Sequence, residues 1–292
     1  MTVRMLLFFA CLLPVLGYAQ GSKVFDNLSL KSAILRKEKK FALYLPAGYE
    51  TSQRSYPVLY LLHGGGDDQT AWIQFGEMQR IVDKAIEDGK IAPMIVAMPD
   101  AEMTFYMNNA TGKYQYEDFF IKEFMPHIEK MYRCRAEKEY RAVAGLSMGG
   151  FGSLLYSLHH PELFSACAAL SAGIRTDEQI KEMPHADYLR RYRSAMGDIK
   201  EGDNRITDFW NQNSILYLMQ HLPENQKNAV RFYLDCGDDD QLLYTGNTLL
   251  HVLMRDQKIP HEFRMRDGGH TWEYWRTGLP DALQFISKSF HQ

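Results

Sequence analysis

The chain has 292 residues, 46% of them apolar and 24% charged, with a formal net charge of −3. This balance supports a sizeable core and excludes the disordered and fibrous classes. A slightly acidic chain also lacks the basic footprint of a nucleic-acid binder.

Residues 1–19, MTVRMLLFFACLLPVLGYA, join Arg4 to an apolar stretch and place Gly17 and Ala19 at the small-residue positions of a cleavage site. The pattern is that of a secretory signal cut before Gln20, and the apolar stretch is too short to span a bilayer comfortably. The expected product is residues 20–292 as one domain, secreted or periplasmic, without stable membrane insertion. Arg4 is the only charge in the leader, so its removal leaves −4. Cys134, Cys167 and Cys236 then remain, an odd number at wide spacing. Cys167 and Cys236 sit in apolar runs, as small buried hydrophobes do, and the set matches no metal-ligand pattern.

Strands and helices alternate along the rest. KKFALYLPAGY (39–49) alternates apolar residues as an early strand. PVLYLL (57–62) is a continuous apolar run feeding His63, Gly64, Gly65 and Gly66. Continuous apolarity marks a strand covered on both faces. A helix is expected over 77–88 and a second buried strand over 91–99. Residues 117–131 put Phe120, Phe124, Ile128 and Met131 on one helical stripe, with Pro126 demanding a kink or a later start. Strands follow at 140–145, 168–173, 230–237 and 261–268, with helices at 149–159, 248–257 and 280–290. The alternation predicts an α/β fold, a mostly parallel sheet between helices. Only residues 175–226 break the rhythm, and they read as an insertion over the carboxyl edge of the sheet.

RAVAGLSMGGFG (141–152) closes a buried strand and opens a helix. In that context Gly-Leu-Ser-Met-Gly is a turn too tight for side chains at Gly145 and Gly149, which exposes the Ser147 hydroxyl above the sheet. A serine nucleophile needs a base, and the base needs an acid that orients it. His270, in RDGGHTWEYW after a late strand, is the candidate base; His127, His159, His160 and His251 fall in helical stretches. For the acid, Asp235, Asp238, Asp239 and Asp240 compete in LDCGDDDQ, and Asp240, in the loop beyond Gly237, is favoured. The run of carboxylates lacks the wider spacing of a calcium loop, so no metal is expected. The amide of Met148 and one from the glycine turn, with Gly65 the choice, are the expected donors to the developing oxyanion. His63 reads as a structural hydrogen-bonder.

Taken together, LPAGY (45–49), YPVLYLLHGGGDDQTAW (56–72), AGLSMGGFGSL (144–154), LDCGDDDQLLYTGN (234–247) and GGHTWEYWRTGLPDALQFI (268–286) resemble the esterase D branch of the α/β-hydrolases. The similarity is strongest to its carbohydrate esterase group of feruloyl and acetylxylan esterases. It implies an α/β-hydrolase fold and a cofactor-free acyl-enzyme mechanism through Ser147, His270 and Asp240, the last closing a Gly-x-x-Asp pattern with Gly237. It also implies that Trp72 borders the substrate site. Trp272, and Trp210 in the insertion, are further candidates to wall an aromatic acyl slot. The implied substrates are feruloylated or acetylated hemicellulose oligosaccharides, with feruloyl ester hydrolysis ahead of acetylxylan ester hydrolysis. Acyl transfer by the same residues and an inactive carbohydrate-binding scaffold are the alternatives.

Overall fold

The computed structural model describes residues 21–290; the expected leader lies outside the described residues. Eight strands form one sheet: β1 (Lys23–Ser32), β2 (Lys37–Leu45), β3 (Val58–Leu62), β4 (Ile95–Pro99), β5 (Arg141–Leu146), β6 (Ala166–Leu170), β7 (Arg231–Gly237) and β8 (His261–Arg266). Their spatial order is β1-β2-β4-β3-β5-β6-β7-β8. β1 and β2 pair antiparallel, as do β2 and β4, and from β4 through β8 every pair is parallel.

The apolar runs are continuous because helices cover both faces. In β3, Val58, Tyr60 and Leu62 point into one core with Phe120, Phe124 and Phe164, while Leu59 and Leu61 point into the other with Val82, Trp275 and Leu283. All five are buried, so alternation in direction leaves no alternation in polarity. No helix of the described residues is long and apolar enough to cross a membrane.

Several elements differ from expectation. β1, KVFDNLSLKS, was not expected: as a half-exposed edge strand it mixes polar and apolar residues on both faces. The stripe over 117–131 is helical on both sides of Pro126, and the strain is absorbed by a π turn, Phe120–Phe124, in which the Met125 amide donates to the Phe120 carbonyl. Widening the helix there relieves the clash a proline ring makes with the preceding turn. The last helix is Trp272–Ser289, beginning eight residues before the expected start. Thr271 caps it by accepting from the Tyr274 amide, and Pro280 is carried inside.

The insertion folds as helices Asp177–Glu182, His185–Met196, Asp208–Asn213 and Ile215–Gln220. It is tied to the central helix Met148–His159 by a buried carboxylate. Glu117 accepts from His159 Nδ1 at 2.8 Å and His160 Nε2 at 2.9 Å, while His159 Nε2 donates to the Gln212 carbonyl at 2.9 Å. Burial works against the charged forms, but the two imidazoles outweigh it and hold Glu117 at about 2. Burial likewise opposes the imidazolium of His159, yet its bond to Glu117 raises its pKa. Both charges therefore stabilise the fold between the ordinary values of the two groups. The Glu117 contribution is lost as pH falls from about 4.5 toward 2, and the His159 contribution is lost as pH rises through its elevated value. Glu117→Gln is expected to cost roughly 3 kcal/mol near pH 6. Thermal melts should show the gap to wild type narrowing at pH 3; a gap independent of pH would refute the ion-pair account.

Candidate active site

Ser147 sits between β5 and the helix Met148–His159 at φ 53°, ψ −117°, a strained conformation for a residue with a side chain, costing about 1–3 kcal/mol. The surroundings over-determine it: its amide donates to Leu170 at 2.9 Å, and its carbonyl accepts from Gly173 at 2.8 Å and Phe151 at 3.0 Å. The turn is so tight that a Cβ on Gly145 would lie 2.5 Å from the Gly149 carbonyl and 2.8 Å from the Leu62 oxygen. Glycine at 145 and 149 is what lets the strand pass directly into the helix.

His270 follows β8 and reaches over this turn. The Ser147 hydroxyl donates to His270 Nε2 at 2.9 Å, and His270 Nδ1–H donates to Asp240 Oδ2 at 2.7 Å. Asp240 is 1% exposed, and its other oxygen accepts from the Leu243 amide at 3.2 Å. The serine hydroxyl thus faces a base whose far side is fixed by a buried carboxylate. Trp275 packs edge-on against the imidazole at 4.8 Å and donates its indole N–H to Ser171 Oγ at 3.0 Å, which fixes the ring that flanks the base.

The competing carboxylates separate cleanly. Asp235 faces Arg266, Tyr233 and Tyr274, with oxygens 3.0 and 3.1 Å from the guanidinium and 2.5 Å from the Tyr274 hydroxyl. Asp238 accepts from the Gly268 amide at 3.2 Å and so braces the loop carrying His270. Asp238 and Asp239 stay exposed beside Asp267. Of the run, only Asp240 turns inward.

Gly65 and Met148 both line the cavity that holds Ser147 and His270. A Cβ on Gly65 would lie 3.9 Å from that of Met148 and 3.2 Å from Met103 Sδ. Among the described residues neither amide has an acceptor, so both remain available to an oxyanion. The glycine turn is held from beneath. His63 Nδ1–H donates to the Gly64 carbonyl at 2.8 Å, His63 Nε2 accepts from the Ala101 amide at 2.9 Å, and the Tyr106 hydroxyl donates to the His63 carbonyl at 3.0 Å. Burial lowers the His63 pKa, in keeping with a neutral ring that donates at one nitrogen and accepts at the other.

The cavity, about 240 Å³, is walled by Met103, Phe105, Tyr192, Leu242, Leu243, Arg175 and Arg191. Phe105 and Tyr192 stack with centroids 5.0 Å apart. Here the expected tryptophans require correction, because none of the three lines it. A buried indole N–H needs an acceptor, and Trp72 finds the Leu62 carbonyl at 2.9 Å, which draws its ring beneath the glycine turn. Trp272 packs edge-on between Trp72 and Trp275, behind His270. Trp210 donates to Asp177 at 3.0 Å and lines a smaller apolar space that shares Phe105 and Tyr192 with the site. The walls come instead from the loops after β4 and β7 and from the insertion. Phe105 and the following Tyr106 have φ 53° and 60°.

The model of the Esterase family, described as "Putative esterase", matches residues 32–286. The chain belongs to this esterase family. A ferulic acid esterase of known structure superposes with TM-score 0.80 at 33% identity, covering 93% of this chain and 99% of that one. The "Endo-1,4-beta-xylanase/feruloyl esterase" of Xylanibacter ruminicola is 40% identical over 154 residues, 50% of this chain and 21% of that protein. An acetyl esterase of Caldicellulosiruptor saccharolyticus is 24% identical over 275 residues, 90% of this chain and 97% of that one. The chain spans between about a fifth and a half of the length of the first curated relatives it matches. The sheet with its flanking helices is the α/β-hydrolase fold, and the site is that of a serine carboxylesterase.

Proposed function

We propose that this esterase hydrolyses hydroxycinnamoyl esters, feruloyl esters foremost, on hemicellulose saccharides, and that it acts outside the cytoplasm after loss of residues 1–19. The observation that carries the reaction is the chain of contacts from Ser147 Oγ through His270 to Asp240. Ser147 attacks the ester carbonyl as His270 takes its proton, and Asp240 stabilises the imidazolium. The amides of Gly65 and Met148 receive the oxyanion, the sugar alcohol leaves with the proton from His270, and water then repeats the sequence on the acyl enzyme.

The acyl preference is supported by the walls. Phe105 and Tyr192, stacked on each other, put aromatic surface in the cavity wall, Met103 and Leu243 add apolar surface, and an acetyl group alone would leave most of the cavity unfilled. The likeness to a ferulic acid esterase points the same way. The test compares kcat/KM on methyl ferulate, methyl p-coumarate, acetylated xylan and short aliphatic esters, which reads differential transition-state binding. Methyl ferulate is expected to exceed the aliphatic esters by at least about tenfold, since filling an apolar slot with a ring adds more than 1.4 kcal/mol. Preference for acetylated xylan would replace this reading with an acetyl esterase, as in the Caldicellulosiruptor relative.

A further inference from the structure

We infer that Arg175 and Arg191 form a carboxylate-recognising subsite beside the nucleophile, which selects esters whose alcohol half is a saccharide bearing a uronic acid. The inference rests on the esterase reading above and names a feature of the substrate that reading leaves open. Both residues line the cavity that contains Ser147 and His270. Both also line an open groove of about 330 Å³ with Gln179, Glu182, Met183, Asp187, Arg190 and Leu242, so cavity and groove meet at these arginines and Leu242. An ester on a polymer needs such an open path for its alcohol half, because the saccharide must run out to solvent while the acyl group is enclosed.

The charge pattern singles the pair out. Arg190 and Arg193, on the same helix as Arg191, are neutralised by Asp187 at 2.9 Å and Asp198 at 2.6 Å. Among the described residues, Arg175 and Arg191 have no carboxylate partner within ion-pair distance, although the chain as a whole carries more acids than bases. Each is half-buried. Arg175 donates to the Leu242 carbonyl at 3.4 Å, which anchors the side chain while leaving further donors of its five unused. Two half-buried arginines with no ion-pair partner, in a groove where Asp187 is already taken by Arg190 and Glu182 lies at the exposed rim, match a carboxylate, which a guanidinium can hold through two parallel hydrogen bonds.

The experiment measures kcat/KM on feruloyl esters of a neutral oligosaccharide, of the same oligosaccharide carrying a uronic acid, and of that uronic acid blocked as its methyl ester. A fourth substrate is a neutral-alcohol ester whose hydroxycinnamoyl ring bears a carboxylate. The uronate is expected to exceed its methyl ester by about tenfold or more at low ionic strength, the equivalent of one charge-assisted hydrogen bond. The advantage should shrink with added salt, and the ratio should fall toward one in Arg175→Gln and Arg191→Gln. Because the readout is a ratio of two substrates on one enzyme, a general loss of activity does not mimic it. Equal turnover of uronate and methyl ester by the wild type overturns the inference, as does an unchanged ratio in both variants or an advantage confined to the acyl-side carboxylate. Failure to turn over any of the four would overturn the esterase reading itself.

Discussion

Ser147→Ala is expected to lower kcat/KM on methyl ferulate by about 10⁵- to 10⁶-fold, the loss seen when the nucleophile of a serine triad is removed. In the proposed mechanism the hydroxyl is the attacking atom, and the 2.9 Å contact to His270 Nε2 would make it nucleophilic at neutral pH. Alanine is as able as serine to occupy the backbone at φ 53°, and the hydrogen bonds that hold this position run through main-chain atoms. The variant should therefore melt within a few degrees of wild type while the amides of Gly65 and Met148 stay in place. A loss smaller than about a hundredfold, with the fold intact, would mean that another group performs the attack.

Asp240→Asn should cost about 10⁴-fold in kcat, whereas Asp238→Asn and Asp239→Asn should each stay within a few-fold of wild type. The carboxylate accepts from His270 Nδ1 at 2.7 Å and so selects the tautomer whose Nε2 can take the serine proton. An amide in its place can present its N–H₂ to Nδ1, favouring the other tautomer and leaving the serine without an acceptor. Asp240 is also buried, so no water substitutes for it, while its two neighbours face solvent. Steady-state kinetics on the three variants decides the matter; equal losses in all of them would remove Asp240 from its orienting role.

The fold was legible where burial is two-sided. β3 and β4 declare themselves as unbroken apolar runs because every side chain in them is buried. β1 is the reverse, an edge strand whose exposed Phe25 and partly buried Leu28 and Leu30 follow the register of β2 rather than any pattern of their own. β6 was expected over 168–173 and lies at Ala166–Leu170, since Ser171, at φ 44°, already turns away from the sheet. In the candidate site, Ser147, Asp240 and His270, which the structure brings together, each follow a strand end with a turn-forming glycine close before them. The walls could not be read this way. Tyr192, Arg175 and Arg191 reach the site through the packing of an insertion with no strand rhythm. The tryptophans misled for a related reason, because an indole N–H is satisfied by whichever acceptor the tertiary fold supplies.

The most direct test of the central claim is intact-protein and peptide mass spectrometry after treatment with a serine-directed phosphonate, using Ser147→Ala as the control. The geometry predicts one adduct per chain, located on Ser147 and absent from the control. Labelling at another residue, or no adduct on folded wild-type protein, would contradict it.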